Sequence, residues 1–222
     1  MAFSPEWETA FRSKTHLSVW PWSDLVSHIH RHAAPATGFR RVLELGCGMG
    51  ANIPFLLSLG VDYHAIEGSA TAVSRLHDRF PELRRTIVTG DFTQLLPFEG
   101  PFDLVIDRAA IQHNATEAVR HAIGMVYGRL RPGGKLIGID WLSSAHSEAN
   151  GGTRVDDHTR RDIPSRAFEG LGVVHFFDER HLTGLLVAAG FHIERLEHKI
   201  HEIAIPAGGD RPAWWNFVAV KP

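Results

Sequence analysis

From Arg41 onward, short apolar runs alternate with amphipathic stretches. RVLELG (41–46) is a nearly unbroken apolar run closed by glycine, the pattern of a strand buried on both faces. Residues 51–59 read as a helix with Pro54 in its first turn and Gly60 as its stop. VDYHAIE (61–67) is the second strand, and 69–79 a helix that Ser69 is suited to cap. The pattern continues with strands over 86–89 and 102–107, an amphipathic helix over 116–130 and a fifth strand over 135–141. Residues 142–172 are polar and contain Gly151-Gly152; they read as a long loop with short helices, a length that usually marks function or disorder. A helix over 178–189 and strands over 191–199 and 214–221 follow. The link 201–213 is too short for a helical crossover, so the last two strands are expected to pair antiparallel. Ahead of all this, Leu17, Trp20, Leu25, Val26 and Ile29 fall near helical spacing, a segment broken near Pro21, and 32–40 is a connecting loop.

Alternation of strand and helix predicts an α/β fold with a mainly parallel sheet and helices on both faces. A single domain is expected, with 1–40 as an N-terminal helical cover and 41–222 as the body. The chain has 222 residues, 44% apolar and 22% charged, which is ordinary globular usage and excludes collagenous and coiled-coil classes. Lys and Arg total 23 against 25 Asp and Glu. Without a basic excess, nucleic acid is not expected as a partner. The lone Cys47 cannot form an internal disulfide and fits a reducing compartment. No apolar h-region opens the chain and no run approaches about 18 apolar residues, so a cytoplasmic protein without membrane insertion is expected.

The first strand ends in Glu44-Leu45-Gly46-Cys47-Gly48-Met49-Gly50. Glycines here permit a tight turn and close approach of a ligand to backbone N–H groups. Gly46-x-Gly48-x-x-Ala51 also satisfies the dinucleotide fingerprint, so a nicotinamide enzyme competes; a ligand-free turn is the plain alternative. Glu44, near the end of a buried strand, needs a polar partner, and a ligand ammonium is one candidate. Glu67 ends the second strand, where an acid is suited to ribose hydroxyls in either reading. Asp91 beside Phe92 is suited to an adenine, the carboxylate on its amino group and the ring on its face.

With LRPGGKLIGIDW (130–141) on the page, five segments in order resemble the class I S-adenosylmethionine-dependent methyltransferases. The others are VLELGCGMG (42–50), DYHAIEGS (62–69), GDF (90–92) and FDLVIDR (102–108). The resemblance implies a Rossmann-like seven-stranded, mostly parallel sheet whose last strand alone is antiparallel. It implies S-adenosylmethionine as cofactor and S-adenosylhomocysteine as product. Carried over by position, Glu44 would hold the amino-acid end, and Gly46, Cys47, Gly48 and Gly50 would line the loop under Asn52. Glu67 would bind ribose with Gly68 and Ser69 beside it, Asp91 and Phe92 the adenine, and Asp107 and Arg108 would lie near the methionine portion. A narrower likeness, through HLSVWPWSDLVSHI (16–29), is to bacterial methyltransferases of sugars and surface polysaccharides. It suggests Trp20 and Trp22 as part of a ligand cover, against a plain reading in which they pack the N-terminal helix on the sheet.

Reacting groups in an open α/β sheet sit beyond the carboxyl ends of the strands. His113 is the first candidate base because imidazole titrates near neutrality; its alternative is packing or capping. His146 and His158 are second choices. Asp140 is either a base or the residue that orients one of them. Arg108 is suited to grip a carboxylate or phosphate of the acceptor, unless it pairs with Asp107 or Asp140. Asp156-Asp157-His158 lacks metal-ligand spacing, so no metal is expected. Nothing nearby would lower the Cys47 pKa enough for a nucleophile. His175 reads as a packed histidine. The reading is methyl transfer by in-line displacement to a small polar acceptor, foremost a hydroxyl of a sugar or similar metabolite. An NAD(P)-dependent oxidoreductase and a protein methyltransferase are the alternatives, and a homodimer is an open expectation.

Overall fold

The computed structural model describes residues 5–15, 18–165, 167–206 and 210–222. Its centre is β1 (Arg41–Leu45), which pairs in parallel with β2 (Asp62–Glu67) on one side and β4 (Phe102–Arg108) on the other. β3 (Ile87–Thr89) lies outside β2, and β5 (Leu130–Leu142) lies beyond β4. β10 (Ala213–Val220) then runs antiparallel between β5 and β9 (His192–Ile200), giving the order β3-β2-β1-β4-β5-β10-β9. This is the seven-stranded sheet expected above, with β10 alone reversed. The chain reverses its direction of travel across the sheet at β1, so a crevice opens between the carboxyl ends of β1 and β4.

Both faces of the sheet are covered because the strands are apolar on both sides. Val42, Leu104, Ile106 and Ile137 meet α2 (Ser23–His32), α3 (Ile53–Ser58) and α4 (Ala70–Arg79), through residues such as Ile29, Leu56 and Leu76. Leu43, Leu45, Val105 and Leu136 meet α5 (Thr116–Arg129) and α6 (Glu179–Ala188) through Ile123, Val126 and Leu182. Alternation along β4 therefore sends Asp107 to the α5–α6 side and Arg108 to the opposite one.

Two regions depart from the sequence pattern. The N-terminal helical cover is split: α1 (Pro5–Arg12) forms ahead of the helical spacing read from Leu17 to Ile29, and α2 begins only after Trp22. α1 is too short to hold itself together in water. It is fixed by Phe11, which is buried, and by Glu8, which accepts hydrogen bonds from Ser69 and Thr71 at the start of α4. These donors hold the Glu8 carboxyl at about 2. Leu17 lies outside the described residues. The polar stretch 142–172 is not a bare loop. It contributes β6 (Thr153–Arg154) and β7 (Thr159–Arg161), which join β8 (Val173–His175) in a small antiparallel sheet. Widely spaced apolar residues, among them Leu142, Ile163, Phe168, Leu171 and Phe176, form its own core.

Among the described residues, no helix is long and apolar enough to cross a membrane.

Candidate active site

A cavity of about 700 Å³ opens over the carboxyl ends of β1, β2, β4 and β5. Its floor on one side is the turn after β1. Gly46, Gly48 and Gly50 all have positive φ, between 52 and 75°. A Cβ on Gly46 would lie 2.3 Å from the Cβ of Ala110, so only glycine lets the β1 and β4 turns approach this closely. Gly46 and Gly48 face the cavity. Gly50 does not: a Cβ there would meet the Leu76 and Ile53 side chains at 2.6 and 2.8 Å, so it is a packing glycine against α4.

Glu44 lines the cavity but its charge is already met from within the chain. Tyr63 donates its hydroxyl to one carboxylate oxygen at 2.6 Å and Asn52 Nδ2 donates to the other at 2.8 Å. Burial raises the Glu44 pKa and these two donors oppose the rise. Tyr63 was not singled out from sequence, because a tyrosine inside an apolar strand carries no local signal of its partner.

Glu67 also lines the cavity. Its two oxygens accept the backbone N–H groups of Gly48 and Ser69, each at 2.8 Å. The Gly68 N–H also acts on this carboxylate, and with up to four lone-pair sites on its two oxygens it keeps acceptor capacity for a ligand hydroxyl. The acid thus braces the glycine turn and presents an acceptor to the cavity. Replacing Glu67 with Ala should weaken S-adenosylhomocysteine binding by about 1–3 kcal/mol, with part of the loss from a loosened turn. Calorimetry on folded variant protein checks this, and unchanged affinity would remove the residue from the binding site.

Gly68, Asp91 and Phe92 complete this half. Asp91 Oδ1 accepts from both the amide and hydroxyl of Thr93, at 2.9 and 2.6 Å, which fixes the carboxylate's orientation. Ser69 lies off the cavity. It is fully buried as the N-cap of α4, accepting from Ala72 N–H and donating to Glu8. Cys47 lines the floor, and burial followed by the charges of Glu67 and Glu44 pushes its thiol pKa well up, so it stays protonated.

The second half of the cavity is built by the ends of β4 and β5, by residues of 146–171 outside the small sheet, by α1 with Ser18 and Trp22, and by 210–214. Asp107 is not part of it. It is fully buried on the other face, accepting from Trp141 Nε1 at 2.7 Å, Ile111 N–H at 3.0 Å and Ala110 N–H at 3.3 Å. Burial raises its pKa to about 7 against the pull of those three donors. Arg108, on the cavity side, lies 3.5 Å above the Trp22 ring and 3.3 Å from Asp140 Oδ2. Lys199 reaches the other Asp140 oxygen at 2.9 Å. With a cation on each oxygen, Asp140 ties Arg108 to Lys199. Both Ala109 and Asp140 hold positive φ, 60 and 56°, strained backbone at the rim of the cavity.

His113 is buried, lines the cavity and meets the Trp7 ring edge-on at 4.8 Å between centroids. His146 is also buried in the lining, framed by Phe168 and Trp214. Its Nδ1 accepts the Glu148 amide at 3.1 Å, so the neutral ring carries its proton on Nε2 and offers a donor instead of a base. Two further expectations fail. Trp20 is 79% exposed and off the cavity, because Pro21 turns only Trp22 inward. His158 stands elsewhere, stacked on His181 at 3.6 Å in a separate recess at the start of α6. The sequence reading also missed Trp7, Phe11, Glu148, Asp210 and Trp214, which line the cavity from segments distant in sequence.

A description of the methyltransferase domain matches residues 14–196. The chain belongs to this methyltransferase family. S-Adenosylmethionine is its cofactor. The structure superposes on an S-adenosylmethionine-dependent methyltransferase of Methanosarcina mazei with a TM-score of 0.68 at 18% identity, covering 91% of this chain and 98% of that one. Ribosomal RNA small subunit methyltransferase A of Porphyromonas gingivalis is 49% identical over 51 residues, 23% of this chain and 20% of that protein. A tRNA N(3)-methylcytidine methyltransferase of Drosophila melanogaster is 27% identical over 174 residues, 71% of this chain and 50% of that protein. This methyltransferase thus spans a fifth to a half of the length of those two relatives. Both act on RNA by name, which overturns the exclusion of nucleic acid drawn from net charge. Net charge averages over the whole surface and says nothing of a local patch.

Proposed function

We propose that this methyltransferase transfers the methyl group of S-adenosylmethionine to an oxygen of a small polar acceptor, foremost a hydroxyl of a sugar or similar metabolite. One observation carries the reading: the half-cavity of Gly46, Gly48, Glu67, Asp91 and Phe92 is continuous with a second half walled by Trp7, Trp22, His113 and His146. A volume of about 700 Å³ is ample for two small ligands placed end to end.

The donor set fits the cofactor. Glu67 would take ribose hydroxyls, Asp91 and Phe92 the adenine, and the Gly46–Gly48 backbone the amino-acid portion, with Asn52 and Glu44 beneath. The bound cofactor supplies an electrophilic methyl on a sulfonium, which is already a good leaving group. The chain's own work is to align the acceptor, exclude water and take a proton. Alignment alone is worth roughly 7–11 kcal/mol of barrier. The N-terminal segment, residues 1–40, serves as a cover through Trp7, Phe11 and Trp22. In the balanced step the hydroxyl oxygen bonds to the methyl carbon, the carbon–sulfur bond breaks, the pair stays on sulfur and the hydroxyl proton leaves to a base. His113 is the residue we assign to that base.

Two measurements test this. Titration calorimetry with S-adenosylhomocysteine, against NADH as control, should show saturable binding of the first alone; binding of NADH alone would overturn the reading in favour of a dinucleotide enzyme. His113→Ala should lower single-turnover methyl transfer by about 10²–10⁴-fold with a much smaller change in cofactor affinity. Equal turnover would make His113 a packing residue.

A further inference from the structure

The acceptor half of the cavity has a charge and donor pattern of its own. Arg108 is the one lysine or arginine lining the cavity among the described residues, and Asp140 at 3.3 Å already neutralises it. Two carboxylates in the same half, Glu148 and Asp210, form no salt bridge with a lysine or arginine among the described residues. His146 lines the same half, 8% exposed, with its ring against Phe168 and Trp214. Its Nδ1 is taken by the Glu148 amide. Its Nε2–H has no hydrogen-bond partner among the described residues, although the ring lines the cavity. A donor with no partner on the wall of a cavity is a place for a ligand acceptor atom.

We infer that the acceptor is a hydroxyl-bearing amine: its ammonium is held by Glu148 and Asp210 beside the Phe168 ring, and one of its oxygens accepts from His146 Nε2–H. This rests on the methyltransferase reading above and narrows its acceptor. Carboxylates without a salt bridge in a cavity also walled by aromatic rings favour an organic cation, which gains from both the charges and the ring quadrupoles. An anionic acceptor would have to displace Asp140 from Arg108 and would meet two bare carboxylates. His146 is a positioning residue here, since its proton is already on the nitrogen that faces the acceptor.

The test uses the full chain loaded with S-adenosylhomocysteine and three probes on one ring: glucosamine, N-acetylglucosamine and glucuronic acid. Failure of S-adenosylhomocysteine itself to bind would sink the methyltransferase reading; the probe results bear on the acceptor alone. Calorimetry should show glucosamine binding tighter than N-acetylglucosamine by about tenfold, with glucuronic acid weakest. The pair Glu148→Gln and Asp210→Asn should abolish the preference for the amine. His146→Ala should weaken glucosamine and N-acetylglucosamine alike, and His146→Gln, which keeps a donor at the same reach, should restore most of the loss. Equal affinities, tightest binding of glucuronic acid, absence of binding by all three, or methyl transfer to an RNA transcript but to no amine would each overturn the inference.

Discussion

Asp107→Ala should destabilise the protein by about 3–5 kcal/mol while costing much less in cofactor affinity. The carboxylate is fully buried and holds three donors at once: the Trp141 indole and the amides of Ala110 and Ile111. Alanine would leave all three without an acceptor, in a layer where water cannot replace it. Trp141 is itself fully buried and packs on Phe177 and Phe217, so any shift it makes to rescue its N–H disturbs the α5–α6 core. In a chain of this size the melting point should fall by roughly 8–15 °C. Asp107→Asn, which keeps an oxygen and the volume, should cost about 1–2 kcal/mol. Thermal melts paired with S-adenosylhomocysteine titrations check both variants. A large loss of affinity at unchanged melting point would return Asp107 to the ligand site.

Acidification should open the small sheet that borders the acceptor half of the cavity. His175 is fully buried; its Nδ1 meets the Thr159 hydroxyl at 2.9 Å and its Nε2 meets His181 Nε2 at 3.0 Å. His158 stacks on His181. Two imidazole nitrogens in contact share one proton, so the two rings cannot both be charged. Burial, reinforced by the charges of His181 and His158 and opposed by Asp156, lowers the His175 pKa to about 3. Burial and His158 lower His181 to about 4, with Arg120 adding to the fall and Asp178 and Asp156 opposing it. Unfolded, each would titrate near 6.5. The unfolded chain therefore binds more protons between pH 6.5 and 3, and stability is full above that window and lost as pH falls through it. For His175 alone the loss amounts to roughly 4 kcal/mol by the bottom of the window. Asp107 acts in the opposite sense, because its raised pKa makes the folded state bind protons more readily below about 7. A His175→Gln variant separates the two: it keeps a neutral hydrogen-bonding group and should flatten the decline in melting temperature between pH 6.5 and 4. Hydrogen exchange should locate the first opening in residues 153–175. Identical pH profiles for wild type and variant would show that the imidazole cluster does not set acid stability.

Much of the first half of the cavity was legible from sequence because its residues are local. The glycine turn, Glu67 and the Asp91–Phe92 pair each sit at the end of a strand that hydrophobic patterning reveals, and strand ends in a parallel sheet converge. Helices on both faces follow from the same alternation and the antiparallel β10 from the short link before it, while the order of the strands came from the structure. Misplacements came where a half-turn of chain decides the outcome. Asp107 and Arg108 are neighbours in sequence, yet the pleat sends them to opposite layers. Gly50 looks like its neighbours Gly46 and Gly48 but serves packing against Leu76.

The second half was legible only in part: His113, His146, Arg108, Asp140 and Trp22 were singled out and line the cavity, whereas Trp7, Phe168 and Trp214 come to it from three further segments. None of these segments has a period that announces its role. By itself the sequence determined the strands of the sheet, the glycine turn that lines the cavity and the family, because these rest on local pattern and spacing. The tertiary structure alone decided that α1 is a helix, that 142–172 builds a sheet, that Glu44 is satisfied by Tyr63 and Asn52, and which histidines face the cavity. Those outcomes depend on burial and on partners far away in the chain, and no window of sequence contains both members of such a pair.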